Sequence, residues 1–197
     1  MILNLREKDG EALKELVTKA DLYVKQAMSR EGRVRPMLLI QNLEGTAMML
    51  PNSFTSDQGK DAFVAAGRLM CVAHGAAAAV FVAEGWACLR ESGKPLDLST
   101  PPSKSPDRQE VLMVMGESRY EGDRKLLPIV RSTNGRFVGF GEPHRLSDHQ
   151  LKGRFAQFLP EKYPSREDQR KAKQLLDVVA DEKTKDYSCG LDRGVER

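Results

Sequence analysis

The chain reads as an α+β protein: an N-terminal helix, an antiparallel sheet in the order β-β-α-β-β-β, and a C-terminal helical tail. Three observations predict this. Apolar residues recur at helical spacing near the start, short apolar runs separated by turn residues fill the middle, and the pattern changes again beyond Pro143. Consecutive runs joined by hairpin turns favour antiparallel pairing, with helices laid on one face of the sheet.

Leu13, Leu16, Val17, Ala20, Tyr23, Val24 and Ala27 form one apolar stripe over residues 9–30, and Gly32 and Pro36 end that helix. Met37–Ile40 and Thr46–Leu50 flank Glu44-Gly45 and read as a hairpin. Thr55-Ser56-Asp57-Gln58 offers a capping box for a second helix from about Ser56 to His74. Ala62, Ala65, Ala66, Leu69, Met70 and Ala73 form its small-residue face, and Gly75 is its stop. Ala78–Ala83 has the continuous apolar character of a central strand, which Glu84 and Trp86 leave on a common face. Val111–Met115 is a second such run. Glu121-Gly122-Asp123 turns into Lys125–Val130, where Pro128 suggests an edge or a bulge, and Asn134-Gly135 marks a hairpin into Phe137–Phe140.

Residues 1–143 are therefore assigned to the α+β domain and 144–197 to a helical appendage with a mobile C-terminus. The appendage carries Leu151, Phe155, Phe158 and Leu159, then Ala172, Leu175, Leu176, Val179 and Ala180 at helical spacing. The β-β-α-β-β-β order resembles profilin-like and roadblock-like scaffolds, which usually bind partners or ligands; this is an analogy of architecture alone.

Composition narrows the classes. With 197 residues, 40% hydrophobic and 30% charged, the chain is long enough for one ordinary core, and aromatics are scarce at 6%. The net charge of +3 is spread as +1 over residues 1–50, zero over 51–144 and +2 over 145–197, so no segment has the basic excess of a dedicated nucleic-acid binder. Cys71, Cys88 and Cys189 are odd in number and widely spaced, which speaks against a disulfide framework and fits a reduced cytoplasm. Charges arrive before an N-terminal apolar core forms, and 69–83 is too short to span a bilayer, so a cytoplasmic location without a membrane segment is expected.

The candidate chemistry concentrates at Glu84-Gly85-Trp86 and at Pro102-Ser103-Lys104-Ser105-Pro106-Asp107-Arg108-Gln109-Glu110. These motifs resemble those of a group of small uncharacterised bacterial and phage proteins. Over roughly residues 55–120 the resemblance implies a shared architecture, and it adds no catalytic assignment.

Adjacent strand ends would bring Glu84, Asp107 and Glu110 together with Arg108 among them. An ion-pair cluster pinning the loop to the sheet ranks first, and a catalytic or metal-binding carboxylate set ranks second. His74 could add an imidazole ligand for Mn²⁺, Fe²⁺ or Zn²⁺, although a lone histidine at a helix end is more often a cationic cap. His144 and His149 read as solvent-facing. Cys71 and Cys88 read as small buried hydrophobes, no nucleophile elbow or phosphate loop is present, and Ser103 and Ser105 lack an evident base. Arg30, Arg33 and Arg35, and separately Arg166, Arg170, Lys171 and Lys173, are basic clusters diluted by acids.

The expectation is thus a cofactor-free binding or accessory protein of phage or mobile-element type. Trp86, Ser103, Asp107 and Arg108 would form its contact surface, and a protein partner or a second copy of the chain, through the sheet edge or first helix, would occupy it. The alternatives are a metal-dependent hydrolase using Glu84, Asp107, Glu110 and Arg108, and a nucleic-acid-binding protein.

Overall fold

The computed structural model describes residues 2–42, 44–51, 54–89, 100–147, 154–182 and 187–191. Helix α1 (Ile2–Glu31) starts seven residues before its predicted boundary. The hairpin β1 (Met37–Gln41) and β2 (Thr46–Pro51) follows, closed by Asn42, whose Oδ1 accepts the backbone N–H groups of Glu44 and Gly45. Helix α2 (Asp57–Ala73) leads to strand β3 (Ala78–Ala87). A 3₁₀ turn at Pro102–Lys104 precedes β4 (Gln109–Ser118), β5 (Gly122–Arg131), β6 (Phe137–Phe140) and the two-residue β7 (His144–Arg145). Helix α3 (Arg166–Glu182) and strand β8 (Tyr187–Leu191) complete the order. No helix among the described residues is long and apolar enough to cross a membrane.

All strand pairs are antiparallel, in the spatial order β6-β5-β4-β3-β1-β2-β8, with β7 beside β5. Strands β2 and β3 flank β1 and therefore run parallel to each other, so their connection must cross the sheet. Helix α2 supplies that crossover.

The helices cover both faces, which corrects the one-face expectation. Met37, Leu39, Ala78, Val80, Val82, Leu112 and Val114 pack against Leu13, Leu16, Val17, Ala20, Val24 and Met28 of α1. The alternate residues Leu38, Ile40, Ala79, Phe81 and Ala83 pack against α2. Strands apolar at every position bury both faces, so each face needs a cover.

Local signals were read with small offsets. Ser56 caps α2, accepting the Gly59 N–H at 3.0 Å, so the box starting at Thr55 is displaced by one residue. At the other end the Ala76 N–H reaches the Cys71 carbonyl at 2.9 Å and Gly75 takes φ +56°, the glycine-terminated ending expected there. The buried face of α2 is rotated from the predicted small-residue face: Phe63, Gly67, Met70 and Cys71 face inward and Ala65 is exposed. An added Cβ at Gly67 would lie 2.7 Å from Leu38 Cδ2 and 3.0 Å from the Phe158 ring, so any other residue would force these buried side chains to shift.

The turn placed at Glu121-Gly122-Asp123 is built by Ser118–Glu121 instead, with Ser118 N–H donating to the Glu121 carbonyl at 2.8 Å. Pro128 lies in an interior strand. Its carbonyl accepts the Gly141 N–H on the outer side of β5, so its missing donor faces the break between β6 and β7 and costs no bond to β4. The bulge falls between Val130 and Arg131.

The segment expected as an appendage is built into the same fold. β7 pairs with β5, β8 pairs with the outer edge of β2, and α3 packs against α2. Five of the proposed mobile last dozen residues thus form a strand; Leu151 lies outside the described residues. Phe158 is 3% exposed and Phe155 stacks on Phe81 at 4.6 Å, in a cluster that also holds Phe54 and Phe63. Glu117, buried at the end of β4, fixes this segment by accepting the Gln157 and Leu159 N–H groups at 3.1 and 2.8 Å. Gln157 takes φ +59° at that tie, a conformation few non-glycine residues adopt.

Phe158→Ala should therefore cost about 3–5 kcal/mol of unfolding free energy, as for any large aromatic truncated in a packed core. Urea denaturation measures it directly. A loss below about 1 kcal/mol would mean that the segment after Pro143 does not contribute to the core.

Candidate functional site

Beyond Ala83 strand β3 runs out from under the helices, so its side chains pass from buried to exposed. Alternation keeps Glu84 and Trp86 on the α1 face, opposite Leu112 and Glu110 of β4. They lie past Val82, where α1 ends and the chain turns toward β1.

Glu84 and Glu110 come near each other here, and the arginine beside them, bonded to Glu110, is Arg131. Its Nε and Nη2 donate to the two Glu110 oxygens at 2.7 Å each, and its Nη1 donates to the Gly32 carbonyl at 2.9 Å. Glu84 Oε1 accepts the backbone N–H of Val34. One guanidinium and one carboxylate thus hold both sides of the α1–β1 connection. The forked geometry is the strong form of the pair, and both side chains are three quarters buried. Burial raises the Glu84 pKa above its ordinary value of 4.5, and the nearby Glu110 adds to the rise; the Val34 N–H, Arg131 and Arg33 oppose it.

Arg108 does something different from its predicted place among the carboxylates. Its guanidinium lies over the Trp86 ring, 4.8 Å from the centroid, and its Nη1 donates to the Ser103 carbonyl at 2.8 Å. The 3₁₀ turn aims it: Ser105 Oγ accepts the Asp107 N–H at 3.2 Å. Trp86 is 47% exposed even with this cover. Ser103 contributes its backbone, and the exposed Asp107 does not join Glu84 and Glu110.

His74 is at the opposite end of β3. Ala78 and Glu84 are six residue steps apart along the strand, or about 20 Å at about 3.3 Å per residue, so His74 cannot complete a ligand set with Glu84. Among the described residues no group of three or more His, Cys, Asp or Glu side chains could hold a metal. Burial, and after it Lys173, lower the His74 pKa below its ordinary value against the opposing Glu44, which disfavours a cationic cap. Its carbonyl accepts Asn42 Nδ2 at 3.0 Å. Cys71 is fully buried and its thiol pKa is pushed up by desolvation and by Glu117, which suits an inert packing residue. Cys88 is half-buried and free.

His74 instead borders a cleft of about 600 Å³ that sequence reasoning missed, with Asn42, Gln169 and Lys173 on its walls and Asp9 and Tyr163 among its lining. Asp9 is 1% exposed, accepts the Tyr163 hydroxyl and pairs with Arg119 at 3.5 Å. The Arg119 guanidinium lies 3.6 Å from the Tyr163 ring centroid. Burial and Asp9 raise the tyrosine's pKa, so it stays a hydrogen-bond donor. The available signal was Asp9 itself, four residues before Leu13 on the apolar stripe.

No family model, curated protein or solved structure matches the chain.

The Glu84 assignment predicts the effect of removing its charge. The unfolded carboxyl titrates near 4.5 and the folded one higher, so between those values only the fold holds the proton. Stability from this group therefore falls as pH rises through that window and returns as pH drops. Glu84→Gln, which keeps an acceptor for Val34, should melt at or above the wild type at pH 7, the difference shrinking toward pH 4.5. Glu84→Ala strands the buried Val34 N–H and should cost about 1–3 kcal/mol. A Gln variant that melts lower at neutral pH would mean that the carboxylate is favoured by its arginines.

Proposed function

We propose that the protein is a non-catalytic binding protein whose contact surface is centred on Trp86 and Arg108. The supporting observation is the half-exposed tryptophan with a guanidinium stacked on it, at the end of a strand that is otherwise buried. Tryptophan and arginine are among the residues that most often dominate binding energy, the first as a large rigid apolar surface and the second as a planar fork of several N–H donors. The anchoring is favourable too: Trp86 stands on a strand of the sheet's centre, and Arg108 is positioned by its bond to the Ser103 carbonyl. The phage or mobile-element setting rests on the resemblance of the two motifs alone.

The competing reading is a metal-dependent hydrolase built on Glu84, Asp107 and Glu110. It is weaker because both Glu110 oxygens are engaged by Arg131 and Glu84 is engaged by Val34, so a cation would have to displace structural bonds. Stoichiometric metal in protein purified without chelator, and lost in Glu84→Gln, would reverse that ranking.

A photo-crosslinking residue at position 86 tests the binding reading in the producing cells. It should give a discrete adduct that is absent when the same residue stands at Leu22, which is exposed on α1. The adduct should weaken on Arg108→Ala, while Trp86→Ala should change stability by no more than about 1 kcal/mol, the range of a cross-strand pair. Equal labelling at both positions would overturn the assignment.

A further inference from the structure

Resting on the reading of Trp86 as a contact residue, we infer that the occupant of this surface is a single-stranded nucleic acid, stacked by a base on Trp86 and held by its phosphates on arginines. The sequence hides the charge that supports this, because each segment is nearly neutral. Folding gathers it. Arg30 and the connection carrying Arg33 and Arg35 leave α1 beside Arg131; Lys104 and Arg108 precede β4; Arg136 sits in the β5–β6 hairpin. The strand directions put all three segments at the Trp86 end of the sheet.

These six cations are exposed, and among the described residues of the same three segments the exposed acids are Glu31 and Asp107. Of the remaining carboxylates, Glu110 is neutralised by Arg131, and Glu84 turns inward to accept the Val34 N–H. Arg33 lies close enough to Glu84 to favour its ionised form, which places that cation near the strand end carrying Trp86. Hence the fold separates part of the charge that the sequence mixes: Glu84 and Glu110 turn toward the scaffold, while Arg30, Arg33, Arg35 and Arg136 face solvent.

A cationic surface alone would suit any polyanion; the tryptophan narrows the choice. Single-strand binders pair a positive track for the backbone with an aromatic platform on which a base stacks, and every base has a face to offer. Arg108 over one side of Trp86 extends that platform and presents its N–H groups beside it, where a phosphate one nucleotide away would lie. An acidic protein segment would use the arginines and leave the indole without a stacking partner. Duplex is disfavoured because its bases are not free to stack on a side chain.

The test is a titration of the full chain with a short fluorescein-labelled oligothymidylate, reading polarisation and the fluorescence of Trp86, the only tryptophan. At about 50 mM salt, binding should quench Trp86, and the affinity should fall linearly in log–log with salt, with a slope of about −0.7 for each phosphate contacted. Trp86→Ala should weaken binding by about tenfold or more, with Trp86→Phe retaining most of it. Arg33→Gln with Arg35→Gln should lower affinity and flatten the salt slope, and the melting temperatures of all variants should stay within about 4 °C of the wild type. No binding at low salt, or binding indifferent to Trp86→Ala, would overturn the inference. Poly-glutamate that binds as tightly and quenches Trp86 as fully would also overturn it, in favour of an acidic protein partner, and would leave the contact surface standing. Absence of both, together with a silent cross-link at position 86, would remove the surface as well.

Discussion

Everything in this fold is arranged around a strand that water never reaches from either side. Ala78 to Ala83 of β3 are buried at every position, so a helix on one face would leave half of them wet. Helix α1 covers the even-numbered residues, and α2 with the Phe155–Phe158 segment covers the odd ones. Small side chains at Ala78, Ala79 and Ala83 let the helices approach, and Phe81 fills the space between Phe63 of α2 and the Phe155–Phe158 segment. Each Å² of apolar surface buried along β3 contributes about 25 cal/mol. The polar pairs then fix where the covers sit. Asp9, Tyr163 and Arg119 hold the start of α1 to the segment before α3; Arg131 and Glu84 hold its end.

The buried character of β3 was legible because six consecutive apolar residues fit a central strand. Its consequence, helices on two faces, was also written in that run and was read as one face only. The later chain was misjudged for another reason. Phe155 and Phe158 are isolated aromatics in a polar stretch, and local periodicity cannot reveal that they complete a cluster around Phe81 at long sequence separation. β8 was equally hidden, since a five-residue strand takes its identity from the edge it pairs with.

At the candidate site the sequence identified the right strand ends and the wrong pairings. Glu84, Trp86 and Glu110 share a face because strands alternate, which is a local rule. Which arginine answers which group depends on register: Arg131 reaches Glu110 because β5 runs back beside β4, while Arg108, adjacent in sequence, turns onto Trp86. His74 looked close to Glu84 only in sequence, because an extended strand carries ten residues a long way.

The covering of β2 by β8 has a consequence for how the molecule is made. Until Tyr187–Leu191 is available, the outer edge of β2 presents unpaired backbone groups to solvent. More than half of the chain must be synthesised between the two strands, on the order of ten seconds at about 5–20 residues per second. During translation the nascent sheet therefore carries a sticky border, and crowded polysomes offer it neighbours with the same border. Expression yield should then depend on what shields that edge before the chain's own last strand arrives.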